Sequence, residues 1–344
     1  ERLGVTLDSG SYLYKGGAEF FDERTGDHQV YLFRDGLEGG PTHAYQVDRS
    51  KFDELLLRRS AEVGAVVHEG ERVADLTTAA ESALVTTDRA TYRARYVVDA
   101  TGQDAFMARR QRSVVPLKAF GIAAVFCHFE GLSDEANDEL CKAGEGNIRI
   151  LIIDDGWMWL IPLEGKRLSC GVVTRKKGAG PELLDAVIAA SPMIERLTRG
   201  ATRSATRTIG NFSYRNSKSR GERWVSIGDA ALFLDPVFSS GVSLAMLGAE
   251  RMVDALIPAL AKGVESDPEL MKTVSSSMES AYLSFSSLVG SFYHTKIIEN
   301  LFFAKEPEPE MRAGLISILA GDIWRDDNRF QQVLLSSARQ RFDP

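Results

Sequence analysis

Four stretches of this sequence carry residue types suited to chemistry, and the longest of them runs from 227 to 250. In it, Gly228-Asp229 ends a short apolar strand, Asp235-Pro236 turns the chain, and Ser239-Ser240-Gly241 opens a helix. A glycine beside a carboxylate at a strand end lets a ligand approach the backbone closely. An exposed helix start offers unpaired N–H groups and a partial positive charge to an anion or to the polar edge of a ring. The stretch predicts a ligand-facing turn; the alternative is an ordinary strand–turn–helix unit.

Two further stretches are strands. Asp99-Ala-Thr-Gly102 closes a buried strand, and its small residues let a backbone lie against a flat or phosphorylated ligand. In the strand 156–163, Trp157 and Trp159 alternate with Met158, so both indoles lie on one face. The alternative interpretations are an isolated turn and a packed aromatic face of a sheet.

The fourth stretch contains a lysine in an aromatic setting. Lys15 lies in Tyr14-Lys15-Gly16-Gly17, with Phe20 and Phe21 shortly after it. Local sequence alone favours a solvated strand lysine at this position. The aromatic residues around it predict one half of an antiparallel pair whose second strand is 30–33.

Composition limits the class of protein. The 344 residues and 44% hydrophobic content are those of a globular chain with one large core or two modest ones. The net charge of −7 argues against a nucleic-acid partner. The sequence has neither a run of eighteen apolar residues nor a secretory leader, so we expect no membrane span and a cytoplasmic location. The three cysteines lack metal-ligand spacing, so we expect core thiols and no metal site.

Hydrophobic periodicity predicts the elements that position these stretches. Mainly antiparallel strands are predicted at 120–129, 148–153, 156–163 and 167–174. Further strands are predicted at 65–68, 72–76, 83–87, 92–102, 201–212 and 224–227. Helices are predicted at 52–64, 181–196, 241–261, 268–287, 293–303 and 311–319. The fold class is therefore α/β.

Taken together, the motifs resemble those of flavin-dependent halogenases within the FAD-dependent monooxygenase superfamily. The specific part of the resemblance is Trp157-Met-Trp-Leu-Ile-Pro162, which fits the signature WxWxIP. Asp99-Ala-Thr-Gly102 and Gly228-Asp229-Ala230 resemble the strand end and turn that contact FAD in that family. The resemblance covers roughly residues 11 to 330.

The resemblance implies a discontinuous, three-layer FAD-binding domain at 45–112 and 205–263. A mixed β-sheet substrate region at 11–44 and 113–204 and a helical C-terminal region at 264–344 complete the implied organisation. The implied FAD contacts are Asp99, Thr101, Gly102, Gly228, Asp229, Pro236 and Gly241.

The resemblance also implies a reaction. Reduced FAD (FADH2) reacts with O2 and with chloride or bromide, and the product is hypohalous acid. A lysine passes the halogen to the substrate, and Lys15 occupies the position of that lysine. The backbone N–H groups of Ser240 and Gly241 bind halide at a helix start, as suits a small anion. Trp157 and Trp159 act as a barrier between flavin and substrate.

Two departures from the family refine this hypothesis. The GxGxxG fingerprint that opens an FAD-binding βαβ unit is absent from a chain that starts without Met, so we expect an N-terminally incomplete sequence with most of the first βαβ unit missing. Tryptophan halogenases carry a glutamate where this chain has Phe238, which favours the phenol and pyrrole branch. The implied partners are an aromatic substrate, free or bound to a carrier protein, and a separate NAD(P)H flavin reductase.

Two other functions share part of the pattern. An FAD-dependent hydroxylase or a geranylgeranyl-reductase-like oxidoreductase also carries the Asp99 and Gly228 turns, and differs mainly at the tryptophan strand. A degenerate flavoprotein that binds no FAD is the non-enzymatic alternative. Halide dependence and bound FAD distinguish the three.

Overall fold

The computed structural model describes residues 2–7, 12–118, 120–154, 156–294 and 302–342. Its strands are β1 Leu13–Lys15, β2 Gly17–Asp22, β3 His28–Leu32, β4 Ala44–Gln46, β5 Val73–Thr78, β6 Ala83–Thr87, β7 Thr91–Ala94, β8 Val97–Asp99, β9 Val114–Pro116, β10 Ala123–Glu130, β11 Ile148–Ile153, β12 Gly156–Leu163, β13 Arg167–Thr174, β14 Thr202–Arg203, β15 Arg207–Gly210, β16 Tyr214–Asn216, β17 Arg220–Gly221, β18 Trp224–Ser226 and β19 Leu232–Phe233.

The helices connect these strands and follow them. They are α1 Arg49–Glu62, α2 Phe106–Arg110, α3 Asp134–Asp138, α4 Pro181–Ala190, α5 Pro192–Thr198, α6 Gly241–Lys262, α7 Lys272–His294, α8 Pro309–Leu319 and α9 Arg329–Phe342. Short 3₁₀ turns occupy Phe33–Asp35, Gly102–Asp104, Gly228–Ala230 and Pro236–Phe238, and a π-helix occupies Glu139–Ala143.

Contacts divide the chain into two compact units, each built from separated segments. Unit 1 takes its described residues from 1–66, 119–211 and 287–344, and unit 2 from 67–118 and 212–286. Mixed sheets and helices in both units confirm the predicted α/β class.

The units differ from the predicted domain limits mainly at 45–66 and 264–286, with smaller shifts at 113–118 and 205–211. Helix α1 groups with unit 1, because the Phe52 ring meets Tyr12 edge-on at 6.1 Å. The predicted helical region 264–344 is divided between the units at residue 286. As functional domains, the predicted limits remain predictions.

Unit 1 is organised around one large sheet. Its strands follow the order β14-β10-β13-β12-β11-β2-β3, and β15 also pairs with β10. All pairs are antiparallel except β11 with β2, which confirms the predicted mainly antiparallel sheet. Because side chains alternate along a strand, one face is apolar and packs against α4 and α5, with Met158, Leu160 and Leu184 in its core.

Unit 2 has three layers around a small central sheet, β17-β18-β8, in which β18 and β8 are parallel. Trp224 packs toward the meander β5-β6-β7, while its neighbour Val225 packs toward α6 and the start of α7. Successive side chains of β18 therefore enter different layers. Helix α6 ends at Gly263, whose φ of +70° stops the helix in the left-handed conformation.

Some predicted elements differ from the structure. Residues 65–68 form no strand, and Val66 is 82% exposed there, so its apolar character is not used in a sheet. The predicted helix 181–196 is two helices, because the extended Ser191 precedes Pro192 and breaks the run. The predicted helix 293–303 lies mostly outside the described residues. Among the helices described, none is long and apolar enough to cross a membrane.

Candidate active site

The turn after β8 is organised by the carboxylate of Asp99, which is buried. Its Oδ1 accepts hydrogen bonds from Thr101 N at 3.1 Å and from Thr101 Oγ1 at 2.7 Å. Its Oδ2 accepts from Met107 N at 3.0 Å and from Ser226 Oγ at 3.1 Å. The Asp99 carboxylate therefore accepts four hydrogen bonds, and these fix the conformation of the turn Asp99–Gly102.

The turn after β18 lies beside the first one, because β8 and β18 are parallel and their carboxyl ends meet at one edge. Ile227 N donates to Asp99 O at 2.9 Å, and Gly228 follows with φ +55°. The hydroxyl of Tyr214 donates to Asp229 O at 2.6 Å and approaches Gly102 O at 3.4 Å. Burial raises the pKa of Tyr214 to about 12, so the hydroxyl stays protonated and links the two turns.

Helix α6 begins immediately after a tight turn. Asp235 is buried and its carboxylate accepts from Val237 N at 3.1 Å, which fixes the 3₁₀ turn Pro236–Phe238. Ser239 has φ +52°, and Ser240 is the N-cap without a side-chain hydrogen bond to the helix. The Ser240 side chain thus does not cap this 22-residue helix, and a helix start of this kind favours a bound anion.

The glycines of unit 2 suit a bulky group with anionic and hydrogen-bonding parts. A Cβ at Gly102 or at Gly241 would meet nothing within 4 Å, so the backbone there is open to a ligand. A Cβ at Gly228 would lie 3.2 Å from Ala245 Cβ of α6, so the turn packs closely on that helix. The open glycines are consistent with the predicted FAD contacts. These contacts remain predictions: Asp99, Thr101, Gly102, Gly228, Asp229, Pro236 and Gly241.

Lys15 lies in unit 1 at the end of β1, where Lys15 pairs with Ala44 of β4. Its residue is only 8% exposed, and its Nζ lies 5.6 Å from the centre of the Phe33 ring. No carboxylate in the described part of the chain forms an ion pair with it. Burial lowers the pKa of Lys15 to about 8. About a tenth of the amine is therefore uncharged at pH 7, far more than for a solvated lysine.

The two tryptophans of β12 lie on the face of the sheet opposite the apolar core of unit 1. Their ring centres are 5.9 Å apart; Trp157 is fully buried and Trp159 is half-buried. The Trp157 indole N–H donates to Tyr293 Oη at 2.8 Å, and that of Trp159 donates to Ser169 Oγ at 3.1 Å. Both indoles are therefore held in fixed orientations.

The Trp159 indole rests on the backbone of Gly171, its partner in β13. A Cβ at position 171 would lie 2.2 Å from Cζ2 and 2.4 Å from Cη2 of that indole. We expect Gly171→Ala to displace the indole and to lower the free energy of unfolding by about 2 kcal/mol, because the added methyl group overlaps the Trp159 ring. The shift is measured as a change in tryptophan fluorescence that Trp159→Phe removes.

The control for this prediction is Gly210→Ala in the same sheet. A Cβ at Gly210 would meet only Ile122 O at an ordinary 3.7 Å. Equal fluorescence and equal stability of the two alanine variants would contradict the proposed contact between Gly171 and Trp159.

A sequence profile of the tryptophan halogenase family matches residues 31–332. The chain belongs to the tryptophan halogenase family. This membership confirms the predicted relationship to flavin-dependent halogenases.

Curated relatives of this tryptophan halogenase family member include two carrier-protein halogenases. The 1H-pyrrole-2-carbonyl peptidyl-carrier-protein chlorinase of Pseudomonas fluorescens is 27% identical over 81% of this chain and 64% of its own length. The corresponding brominase of Pseudoalteromonas luteoviolacea is 30% identical over 63% of this chain and 56% of its own length. The chain thus spans between half and two thirds of the length of these relatives.

Solved structures share the fold. A flavoprotein/dehydrogenase of Cytophaga hutchinsonii superposes with a TM-score of 0.83 at 24% identity, covering 96% of this chain and 82% of the other. A flavin-dependent brominase superposes with a TM-score of 0.83 at 23% identity, covering 99% of this chain and 85% of the other. At these identities the likeness concerns the fold alone.

Several residues of the site were not predicted from the sequence. Tyr214 and Ser226 reach the predicted turns through side-chain hydrogen bonds, and Gly171 supports Trp159. Only Gly171 had a local signal, as a glycine within an apolar strand, where glycine often marks a close approach. The structure brings the Asp99 and Gly228 turns together in unit 2, whereas Lys15, Trp157 and Trp159 belong to unit 1.

Proposed function

We propose that this protein is an FADH2-dependent halogenase that uses O2 and chloride or bromide to halogenate an electron-rich phenol or pyrrole. The observation that carries the proposal is the buried amine of Lys15, which has no carboxylate partner among the described residues. Burying an amine without a partner costs free energy, so a reactive role explains it better than a structural one. Membership of the tryptophan halogenase family supports that role.

In this proposal the flavin side of the reaction belongs to unit 2. Bound FAD, once reduced, would donate electrons to O2, and the halide would donate the remaining electrons as it is oxidised to hypohalous acid with release of water. The FAD is held through backbone groups and the Asp229 carboxylate, and the residues that contribute are Thr101, Gly102, Gly228, Asp229, Pro236 and Gly241. Asp99 acts indirectly, since its own carboxylate already accepts four hydrogen bonds. The N–H groups of Ser240 and Gly241 bind the halide.

Lys15 then transfers the halogen. The lone pair of Nζ attacks the halogen of hypohalous acid; the N–halogen bond forms, the O–halogen bond breaks, and the departing hydroxide takes a proton from nitrogen to leave as water. A ring carbon of the substrate next attacks that halogen, the electron pair returns to nitrogen, and the ring proton restores the amine. A lysine suits these steps because its compact amine can lose its charge, which a guanidinium cannot.

Trp157 and Trp159 serve as the barrier in this proposal. Their rings are fixed by hydrogen bonds to Tyr293 and Ser169, so they exclude substrate from the flavin without taking part in proton transfer. Only the halogen carried by Lys15 then reaches the substrate, and direct hydroxylation is prevented.

The substrate class follows from two observations. Two relatives are named for a pyrrole-2-carbonyl group held on a carrier protein, and Phe238 places an apolar ring where tryptophan-specific members have a glutamate. We therefore assign a phenol or pyrrole tethered to a carrier protein, with FADH2 delivered by a separate NAD(P)H flavin reductase.

The test is a product assay with the full-length protein. It is incubated with FADH2, O2, a carrier-bound pyrrole or a phenol, and chloride, bromide or no halide, and the products are resolved by mass spectrometry. We expect halogenated product that requires halide. Hydroxylated product formed at the same rate without halide would instead support a hydroxylase, and consumption of reduced flavin with reduction of an alkene would support a reductase of the geranylgeranyl type.

A further inference from the structure

We propose that Arg34 and Gln46 are positioning residues for Lys15, which they hold in place through the turn Glu145–Gly146. The inference rests on the proposed function, in which Lys15 carries the halogen. It extends that function by assigning a role to three segments that lie far from Lys15 in the sequence.

The turn Glu145–Gly146 contacts the backbone on both sides of Lys15. Gly16 N donates to Glu145 O at 2.9 Å, immediately after Lys15. On the other side, a Cβ at Gly146 would lie only 1.8 Å from Tyr14 O, so the glycine backbone is pressed against the preceding residue. Gly146 has φ +65°, which a side chain would also disfavour. The turn therefore determines where the β1 backbone lies at Lys15.

Two side chains hold the turn in that place. Gln46 is buried, and its Nε2 donates to Gly146 O at 3.0 Å. Arg34 forms a bidentate pair with the Glu145 carboxylate, from Nη1 to Oε2 at 2.6 Å and from Nη2 to Oε1 at 3.1 Å. Planar, two-bond contacts of this kind restrict orientation as well as distance.

Arg34 also follows the aromatic neighbour of Lys15. Phe33, whose ring centre lies 5.6 Å from Nζ, donates its N–H to Gly16 O at 2.8 Å. The ion pair between Arg34 and Glu145 therefore connects the segment that carries the Phe33 ring to the turn Glu145–Gly146. Water is kept from Nζ as long as these segments stay together.

The far end of the turn is anchored in the core of unit 1. Gly144 N donates to Glu139 O at 2.8 Å, and Gly146 N donates to Leu140 O at 3.1 Å. Leu140 is fully buried in the main core cluster. Arg196, and to a smaller extent Arg149, pair with the Glu139 carboxylate and lower its pKa to about 2. The turn Glu145–Gly146 thus connects the backbone at Lys15 to the buried core of unit 1.

The test compares Arg34→Ala and Glu145→Gln with wild type in the halogenation assay. Halogenated product and flavin oxidised are measured together, and monochlorodimedone, a β-diketone, captures free hypohalous acid. We expect the product formed per flavin oxidised to fall about tenfold or more, since a displaced reactive group loses much of its rate. Free hypohalous acid should appear in its place. The pH at which product formation is half-maximal should rise, because water admitted to Nζ reverses the effect of burial.

The matched control is Arg49→Ala, which removes another bidentate pair, Arg49 with Asp53 on α1. It should leave product yield and pH profile unchanged. The exchanged pair, Arg34→Glu with Glu145→Arg, should recover part of the lost yield. The Arg34–Glu145 pair is half-exposed, so its loss should change the thermal midpoint little.

Lys15→Ala separates this inference from the function on which it rests. Halogenation that persists in Lys15→Ala overturns the proposed function. If Lys15→Ala is inactive while Arg34→Ala and Glu145→Gln keep wild-type yield and pH profile, the function stands and the positioning role is wrong. A loss of yield that only follows a lowered thermal midpoint, with an unchanged pH profile, also overturns the positioning role.

Discussion

Replacing Lys15 by methionine is expected to abolish halogenation and, at pH 7, to make the protein more stable. Product formation should fall by at least about a thousandfold, because methionine has no amine to carry the halogen. Flavin oxidation should continue. The variant would thus separate the formation of hypohalous acid from its use.

The gain in stability follows from the burial of Lys15. Its pKa is lowered from 10.5 to about 8, so below pH 8 the fold must hold a charge that water would solvate better. Such a shift corresponds to a penalty on the order of 3 kcal/mol. The contact of the ammonium with Phe33 offsets about 1 kcal/mol of it. Methionine removes the charge and keeps the volume, so a net gain of about 2 kcal/mol is expected.

The sign of the pH dependence makes this prediction specific. Between pH 8 and 10.5 the unfolded chain still binds the proton that folded Lys15 has lost, so wild-type stability rises with pH in this window. The advantage of Lys15→Met should be complete at pH 7 and should vanish above 10.5. Urea unfolding at pH 7 and pH 10 measures it. Lys51→Met, at an exposed position of α1, is the control and should change stability little at either pH.

The same amine predicts how activity depends on pH. If uncharged Nζ attacks hypohalous acid, product formation should rise with pH and reach half of its maximum near pH 8. Flavin oxidation measured in parallel corrects for changes in the earlier steps. A rate of halogen transfer that falls as pH rises through 8 would indicate that the ammonium form is the active one.

Asp99→Ala is expected to weaken FAD binding by at least about tenfold and to destabilise unit 2. Four donors lose their acceptor, among them the buried Met107 N, and leaving them unsatisfied costs about 3 kcal/mol. The turn Asp99–Gly102 would then lose the conformation that opens Gly102 to a ligand. Affinity is measured by the quenching of FAD fluorescence, and stability by the urea midpoint.

Asp104→Ala provides the matched control, since this exposed aspartate follows the same turn. Asp99→Asn should recover only part of the loss, because its amide nitrogen cannot accept the hydrogen bonds that one carboxylate oxygen accepted. Wild-type FAD affinity in Asp99→Ala would show that the hydrogen bonds of Asp99 are unnecessary for the site.

The sequence predicted the strands of unit 1 and the two turns of unit 2 well. Alternation along 156–163 correctly placed Trp157 and Trp159 on one face, and Asp99 and Gly228 were correctly assigned to strand ends. These features depend on residue type and on neighbours a few positions away, which periodicity reports directly. The false strand at 65–68 has the apolar pattern of a strand, but no strand among the described residues pairs with it.

Only the tertiary structure decided the state of Lys15 and the use of Asp99. Local sequence favoured a solvated lysine, yet Phe33, Ala44 and the turn Glu145–Gly146 enclose it from positions far along the chain. The contact of Asp99 with FAD stays a prediction, and only the folded structure shows that Met107 and Ser226 donate hydrogen bonds to its second oxygen. The sequence by itself predicted that Asp99 and Gly228 lie at strand ends. Their burial, charge and hydrogen bonds depend on distant segments that meet only in the folded protein.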